Sequence, residues 1–190
     1  TKYIPISLAA LLFFIYPPVV AILNHVIAKK WPSLIKTISI TVAFLGLAVM
    51  LGVDLNQIDL RGVVIGVSAG IACAVNIIWV ARKVSGVHPF VIVFYQSAIA
   101  SLIIGVLAWY LDELRLPNEI GGWLGFLLVG VLQTVSIPFF YFAIQRIGSE
   151  PTAMINNSQP IASIVAAILI FNEGLTLERF FGAIMVIGGI

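Results

Sequence analysis

The sequence predicts an all-helical integral membrane protein, a polytopic bundle in which seven transmembrane helices are visible. Of its 190 residues, 61% are hydrophobic and only 9% are charged, whereas an ordinary soluble domain carries about 25% charged residues. The apolar residues form long runs separated by charges, Pro and Gly. Spanning strands alternate apolar and polar residues over about ten positions, but these runs are apolar on all sides, which favours helices.

Seven apolar segments fill the chain. A bilayer core about 30 Å thick is crossed by roughly 20 helical residues, so no large soluble domain fits beside them. In chain order, segments one to seven are Ile4–Ile27, Leu34–Leu51, Gly62–Val80, Phe90–Leu111, Trp123–Ile144, Pro151–Phe171 and Leu175–Ile190.

The basic residues between segments predict the orientation, because short cytoplasmic loops are enriched in Lys and Arg. One side of the membrane is predicted to carry six of them and the other side four. The six are Lys29, Lys30, Lys36, Arg82, Lys83 and Arg146, and the four are Lys2, Arg61, Arg115 and Arg179. The side with six, which includes the C-terminus, is therefore predicted to be cytoplasmic.

A net charge of +2 without a basic stripe gives no indication of nucleic-acid binding.

Segments one and two recur as segments six and seven at an offset of 143 residues. The offset pairs Ile4 with Ile147, Ala10 with Ala153, Pro17 with Pro160, Ile27 with Ile170, Leu34 with Leu177, Lys36 with Arg179, and Gly46 with Gly189. A displacement of five spans is odd, so each repeated helix should cross the membrane in the opposite direction from its partner. The repeat is then inverted, an arrangement that supplies two access states in many transporters.

This repeat sets the predicted domain organisation. Residues 1–53 would hold the last two helices of a first five-helix repeat, and residues 60–190 a second repeat with a truncated last helix. We therefore expect the chain to be a fragment, with three further helices before Thr1 and ten helices in the complete molecule.

Prolines near the middle of segments one and six predict matching helix breaks. Pro17 and Pro160 each remove one backbone donor and clash with the carbonyl four residues earlier, at Phe13 and Asn156. Paired interruptions in two halves indicate a transporter binding site, because unwound backbone within a membrane must line a cavity or be buried. Pro138 in segment five is a third predicted helix break or hinge. For all three prolines the alternative is a structural kink.

Polar side chains within the apolar segments are the candidate ligand contacts, because each needs a protein partner or water. Asn156, Gln159 and Ser163 share one helix face, whereas Asn157 is expected to bond a neighbouring helix. The candidate substrate-binding residues are Tyr16, Asn76, Trp79, Tyr95, Gln96, Gln133, Tyr141, Asn156 and Gln159. For all of them the alternative is hydrogen bonding between helices or an interfacial aromatic belt.

Segment three presents two faces. Gly62, Gly66 and Gly70 recur every four residues and form a stripe that another helix can approach closely. Asn76 and Trp79 lie on the opposite side, which suits a cavity wall.

Nothing in the sequence predicts catalysis, a metal site or a cofactor. Gly66 to Gly70 spells the G-x-S-x-G motif, but Ser68 lies within an uninterrupted helical run, away from His25 and His88, and the motif needs a sharp turn with an adjacent base. Cys73 is the single cysteine. Because no charge lies at mid-segment, recognition by amides, hydroxyls and aromatic rings would favour neutral, zwitterionic or amphipathic solutes.

Several runs together resemble the C-terminal half of EamA-type transporters of the drug/metabolite transporter superfamily. They are Leu128–Val131, Phe140–Ala143, Pro160–Ser163, Asn172–Thr176 and Gly182–Gly189, while Gly62–Gly66 and Trp79–Arg82 resemble the start of that half. The resemblance covers essentially the whole chain, as family helices four to ten.

The resemblance implies ten helices in two inverted repeats, both termini in the cytoplasm, and secondary transport of small metabolites, commonly export. We therefore expect a secondary transporter, not an enzyme, for a small polar, zwitterionic or amphipathic metabolite such as an amino acid, in a bacterial inner membrane. Its partners would be that solute and the lipid bilayer, and a homodimer is left open. The alternatives are a channel-like facilitator or a seven-helix membrane receptor; a retinal protein would need a buried Lys.

The resemblance also singles out Glu173, which matches the family's Glu after the proline-bearing helix. Its equivalent at the 143-residue offset is Lys30, so the first half departs from the pattern. Glu173 could act in a gate or have a purely structural role, and the sequence does not distinguish the two.

Overall fold

The computed structural model describes residues 4–29, 33–52, 59–112, 116–171 and 176–190, and these residues fold into α-helices with no strand among them. In chain order the helices are α1 (Ile6–Phe13), α2 (Tyr16–Ala28), α3 (Leu34–Met50), α4 (Leu60–Lys83), α5 (Pro89–Tyr110), α6 (Ile120–Ile147), α7 (Ser149–Asn156), α8 (Gln159–Phe171) and α9 (Leu177–Gly188).

Among the described residues, four helical stretches are long and apolar enough to cross a membrane. They are Ile6–Ala28, Leu60–Lys83, Pro89–Tyr110 and Ile120–Ile147, with mean hydropathy between 1.9 and 2.4. Large apolar side chains are exposed along them, such as Leu102 (69%) and Phe126 (66%). An apolar surface of this kind is stable in lipid and would aggregate in water, so the chain is an integral membrane protein.

Two helices are broken at corresponding points. The first break, at Phe14 and Ile15, separates α1 from α2, and the second, at Asn157 and Ser158, separates α7 from α8. In both cases the preceding helix ends four residues before a proline, Pro17 or Pro160. The proline ring obstructs the backbone carbonyl of that last helical residue. α7 begins 143 residues after α1, α8 begins 143 residues after α2, and α9 begins 143 residues after α3.

α3 and α9 begin in the same way. The Ser33 hydroxyl accepts a hydrogen bond from the backbone N–H of Lys36 (3.3 Å), and the Thr176 hydroxyl accepts one from Arg179 (3.3 Å). Each of these N-caps satisfies a donor that the first helical turn leaves unpaired. The caps therefore fix the starts of α3 and α9 in equivalent registers.

α3 and α9 pack at backbone distance, because glycine removes the side chain at the points of closest approach. A Cβ at Gly46 would lie 2.8 Å from the carbonyl oxygen of Gly182, and one at Gly189 would lie 2.6 Å from that of Ser39. Residue numbers fall along α9 as they rise along α3, so the helices run antiparallel. The 143-residue offset exchanges these two contacts, because it pairs Ser39 with Gly182 and Gly46 with Gly189.

The chain divides into two compact units. The larger unit comprises Thr1–Trp79 and Ile147–Ile190, and the smaller one Val80–Arg146. In the larger unit, Gly66 and Gly70 of α4 lie against the end of α1. A Cβ at Gly70 would lie 2.5 Å from Cγ2 of Ile15 and 3.0 Å from the Phe13 carbonyl oxygen. Because glycine has no Cβ, the backbone at the first break can pack directly against α4. Gly62 is buried on the same helix.

Candidate functional site

The two helix breaks meet through side chains in the larger unit. The Asn156 side-chain amide donates to the Tyr16 hydroxyl at 2.7 Å and lies 3.3 Å from Oε1 of Gln159. Tyr16 and Gln159 are the first residues of the helices that follow the breaks, and Asn156 is the last residue before the second. Three of the predicted site residues are therefore brought together at the points where regular helix stops. Pro17 and Pro160 are both buried beside them.

A cavity of about 290 Å³ opens at this point, between α1 and α8. Gln159 and Ser163 supply an amide and a hydroxyl to its wall, the latter also donating to the Gln159 carbonyl oxygen at 3.1 Å. Most of the remaining wall is apolar. The full lining is Ala10, Phe14, Leu51, Gln159, Pro160, Ser163, Ile164 and Arg179. A mostly apolar wall with a few convergent polar groups is the usual character of a small-molecule site.

Arg179 is a lining residue that the sequence did not point to as a ligand contact, since its position suggested only a charge at a membrane edge. It lies in the first turn of α9, half-buried, at the same cavity as Gln159. The available sequence signal was its pairing with Lys36 at the 143-residue offset. Phe14 and Leu51 were also missed, because an apolar residue facing a cavity has no sequence signature that separates it from one facing a neighbouring helix.

Asn157 is the second polar residue at the second break. It is 6% exposed, and its Oδ1 has no hydrogen-bond partner among the described residues. The expected bond from the Asn157 side chain to a neighbouring helix stays a prediction, with the amide nitrogen as its donor. A buried carbonyl oxygen without a donor is costly in an apolar environment.

Asn76 and Trp79 lie on α4, one turn apart. Asn76 is half-buried and Trp79 is 47% exposed. Neither is among the described residues that line the 290 Å³ cavity. The contact of this pair with substrate therefore stays a prediction.

The smaller unit holds the other candidates. The Tyr141 hydroxyl donates to Oε1 of Gln96 at 2.6 Å, which joins α6 to α5, and Tyr95 is 62% exposed on the neighbouring surface of α5. Gln133 and Pro138 line a separate cavity of about 550 Å³ in this unit. Its other lining residues are Phe90, Val93, Phe94, Ser97, Ala98, Ser101, Thr134 and Ile137.

Glu173, for which a gate or structural role was considered, lies outside the described residues, as does Lys30. Among the described residues no three His, Cys, Asp or Glu side chains form a group that could hold a metal ion.

Known proteins share this architecture and part of this sequence. The chain is 26% identical over 194 aligned positions to an uncharacterised transporter, sll1319, of Synechocystis, covering 97% of this chain and 57% of the relative. It is 29% identical over 110 positions to a WAT1-related protein, At1g43650, of Arabidopsis thaliana, covering 54% of this chain and 31% of the relative. The chain thus spans about half the length, or less, of these relatives.

The fold is also similar to a solved one. A crystal structure described only as that of a protein superposes with a TM-score of 0.79 at 15% sequence identity, covering 99% of this chain and 67% of the other. Residues 60–190 match the EamA-like transporter family, which confirms the resemblance seen in the sequence. Since this match covers well over half of the chain, the protein belongs to the EamA-like transporter family.

Proposed function

We propose that this protein is a secondary transporter, working in export, that moves a small polar, zwitterionic or amphipathic metabolite such as an amino acid by alternating access. The observation that carries the proposal is the pair of matched helix breaks, which meet through Tyr16, Asn156 and Gln159 beside a cavity. Interrupted helices in corresponding positions of two repeats are the usual place of transporter binding sites. Membership of a transporter family supports the same activity.

The proposal includes an inverted repeat. It is supported by helix starts displaced by 143 residues and by the exchange of the two α3–α9 glycine contacts under the same displacement. Contacts that exchange in this way are expected of two elements related by a twofold axis. We propose that α1 to α3 and α7 to α9 are corresponding parts of two five-helix repeats in a ten-helix molecule.

The proposed substrate class follows from the cavity wall. Gln159 and Ser163 can hydrogen-bond to neutral or charged polar groups, while Phe14, Leu51 and Ile164 provide apolar surface. Both parts of an amphipathic metabolite would be accommodated. Arg179 places a positive charge in the same wall, which suits the carboxylate of a zwitterion. A solute with several charges would still lose water against the apolar part of the wall without enough compensating partners.

The proposed setting is a plasma membrane, the inner membrane of a bacterium, with the Lys36 side and the C-terminus in the cytoplasm. The excess of basic residues on that side and the match to a cyanobacterial transporter support this setting.

Solute counterflow in liposomes tests the function. The full-length protein is reconstituted, loaded with one amino acid or other small metabolite at a time, and assayed for uptake of the same labelled solute. A carrier gives a transient overshoot that saturates with concentration. Flux that neither saturates nor shows counterflow would favour a channel and contradict the proposal.

A further inference from the structure

Three helix ends meet at one end of the smaller unit: the end of α4, the start of α5 and the end of α6. The turn between α4 and α5 is closed by a hydrogen bond from the Val87 N–H to the Val84 carbonyl oxygen (2.9 Å). The Gln145 side-chain amide, near the end of α6, donates to the Val87 carbonyl oxygen at 2.8 Å. The turn is therefore docked on the last turn of α6. We call this surface the Arg146 end.

Aromatic rings pack beneath the turn. The His88 ring meets the Phe142 ring edge-on at a centroid distance of 5.3 Å, and the Phe90 ring lies 6.4 Å from Phe142. Arg146 follows Phe142 by one helical turn on the same face of α6, so it lies next to the turn that carries His88. The ring contacts thus hold a cation of α6 beside the start of α5.

The Arg146 end is basic. Arg82 and Lys83, in the last turn of α4, and Arg146, in the last turn of α6, are all exposed. In the described part of the chain none of these three forms an ion pair, whereas Lys36 of the larger unit is paired with Glu150 at 2.8 Å. Three cations at the Arg146 end are therefore available to an anionic ligand.

The acids that the structure describes in the smaller unit lie at its other end. Asp112 directly follows α5, and Glu119 directly precedes α6. A span of α5, Pro89–Tyr110, separates them from the Arg146 end. Charge is thus divided along the unit, and the described acids do not compensate the cations of the Arg146 end.

The Arg146 end lies at the level of lipid headgroups. α4, α5 and α6 are three of the stretches that are long and apolar enough to cross a membrane, so their ends lie near its surface. Apolar side chains stand next to the cations there: Val87, Phe90 and Val91 are 40%, 47% and 44% exposed. Cations bordered by apolar surface suit a ligand with a charged head and an apolar body.

We infer that the Arg146 end binds the headgroup of an anionic phospholipid. Arg82, Lys83 and Arg146 supply the charges that attract its phosphate, and the His88 imidazole supplies a hydrogen-bond donor. Phe90, in the first turn of α5, contacts the glycerol and the upper part of an acyl chain. A free phosphate would gain nothing from this apolar surface, so the ligand is a lipid. The inference depends on the membrane setting and is independent of the proposed transport.

A photoreactive lipid tests the site locally. The full-length protein is reconstituted in phosphatidylcholine vesicles that contain a small fraction of phosphatidylglycerol with a diazirine near the glycerol. After illumination, adducts are mapped by peptide mass spectrometry. Labelling of residues 87–91 should be several times stronger than with a phosphatidylcholine probe that carries the same diazirine.

Neutralising the cations should remove this preference. Arg82→Gln, Lys83→Gln and Arg146→Gln should each lower phosphatidylglycerol labelling of residues 87–91 about fivefold, the equivalent of about 1 kcal/mol for each cation near an anionic lipid. Labelling by the phosphatidylcholine probe should not change. Arg146→Lys keeps the charge and should label nearly as well as the unchanged protein.

Lys29→Gln is the matched control, because Lys29 is an exposed cation just after α2, in the larger unit. It should leave labelling of residues 87–91 unchanged. An equal loss in this control, or equal labelling by the two lipid probes, would mean a general attraction of lipid to a basic membrane face and would overturn the inference. Loss of labelling on addition of soluble glycerol phosphate would assign the cations to a free phosphate ester and would overturn it as well.

Discussion

The Asn156 amide donates a hydrogen bond to the Tyr16 hydroxyl across 140 residues of sequence, at 2.7 Å. The two residues border different helix breaks, so this single bond links the irregular parts of two distant helices. Tyr16 is 1% exposed, so its hydroxyl is shielded from bulk solvent. The geometry of one break therefore depends on that of the other.

A double-mutant cycle should detect this link. Tyr16→Phe and Asn156→Ala should each lower the thermal stability of the purified full-length protein in detergent, because each removes one partner of a buried bond. Their coupling free energy should be about 0.6 kcal/mol, the average for hydrogen bonds between membrane helices. Strictly additive effects would show that the bond contributes nothing, even if both single variants are less stable.

Glycine at the α3–α9 contact should be indispensable. In Gly46→Ala, the new Cβ would lie 2.6 Å from Cβ of Met185, so the helices must separate. We expect a loss of about 1–3 kcal/mol in the free energy of unfolding, as is usual for overpacked sites. The control is Gly105→Ala in α5, where a Cβ meets nothing within 4 Å. Equal Tm values for the two variants would contradict the close packing.

Loss of the amides at the second break should impair transport more than it impairs folding. Asn156→Ala and Gln159→Ala should each reduce counterflow about fivefold, the effect of losing roughly 1 kcal/mol of hydrogen bonding to a solute, with membrane abundance reduced much less. Ser68→Ala, an exposed position of α4 away from the breaks, serves as the control. Equal losses of transport and membrane abundance would show that the two amides serve packing and do not contact the solute.

The orientation can be measured at two exposed positions near helix ends. A cysteine replacing Lys29, just after α2, should react with an impermeant maleimide only from the cytoplasm, and one replacing Arg61, at the start of α4, only from outside. The excess of basic residues on the Lys36 side is the reason for this assignment. Labelling of each cysteine from the opposite face would reverse the assigned orientation. The cavity would then open toward the other side of the membrane.

The sequence by itself determined the membrane class and the family. Long apolar runs and scarce charge require a lipid environment, and these are local properties that no folding step can alter. It also located both breaks, since a proline within an apolar helix acts on the carbonyl four residues earlier wherever the helix packs. The 143-residue offset was visible in the sequence because it pairs Pro17 with Pro160 and Gly46 with Gly189.

Only the tertiary structure decided which of the equivalent residues after the two breaks is buried. Tyr16 and Gln159 occupy equivalent positions after equivalent breaks, yet the first is buried in a hydrogen bond and the second lines a cavity. Local sequence cannot separate the two environments, because burial depends on which distant helix packs against each side. Here α7 packs along α2, and contacts such as that of Lys36 with Glu150 join residues remote in the chain.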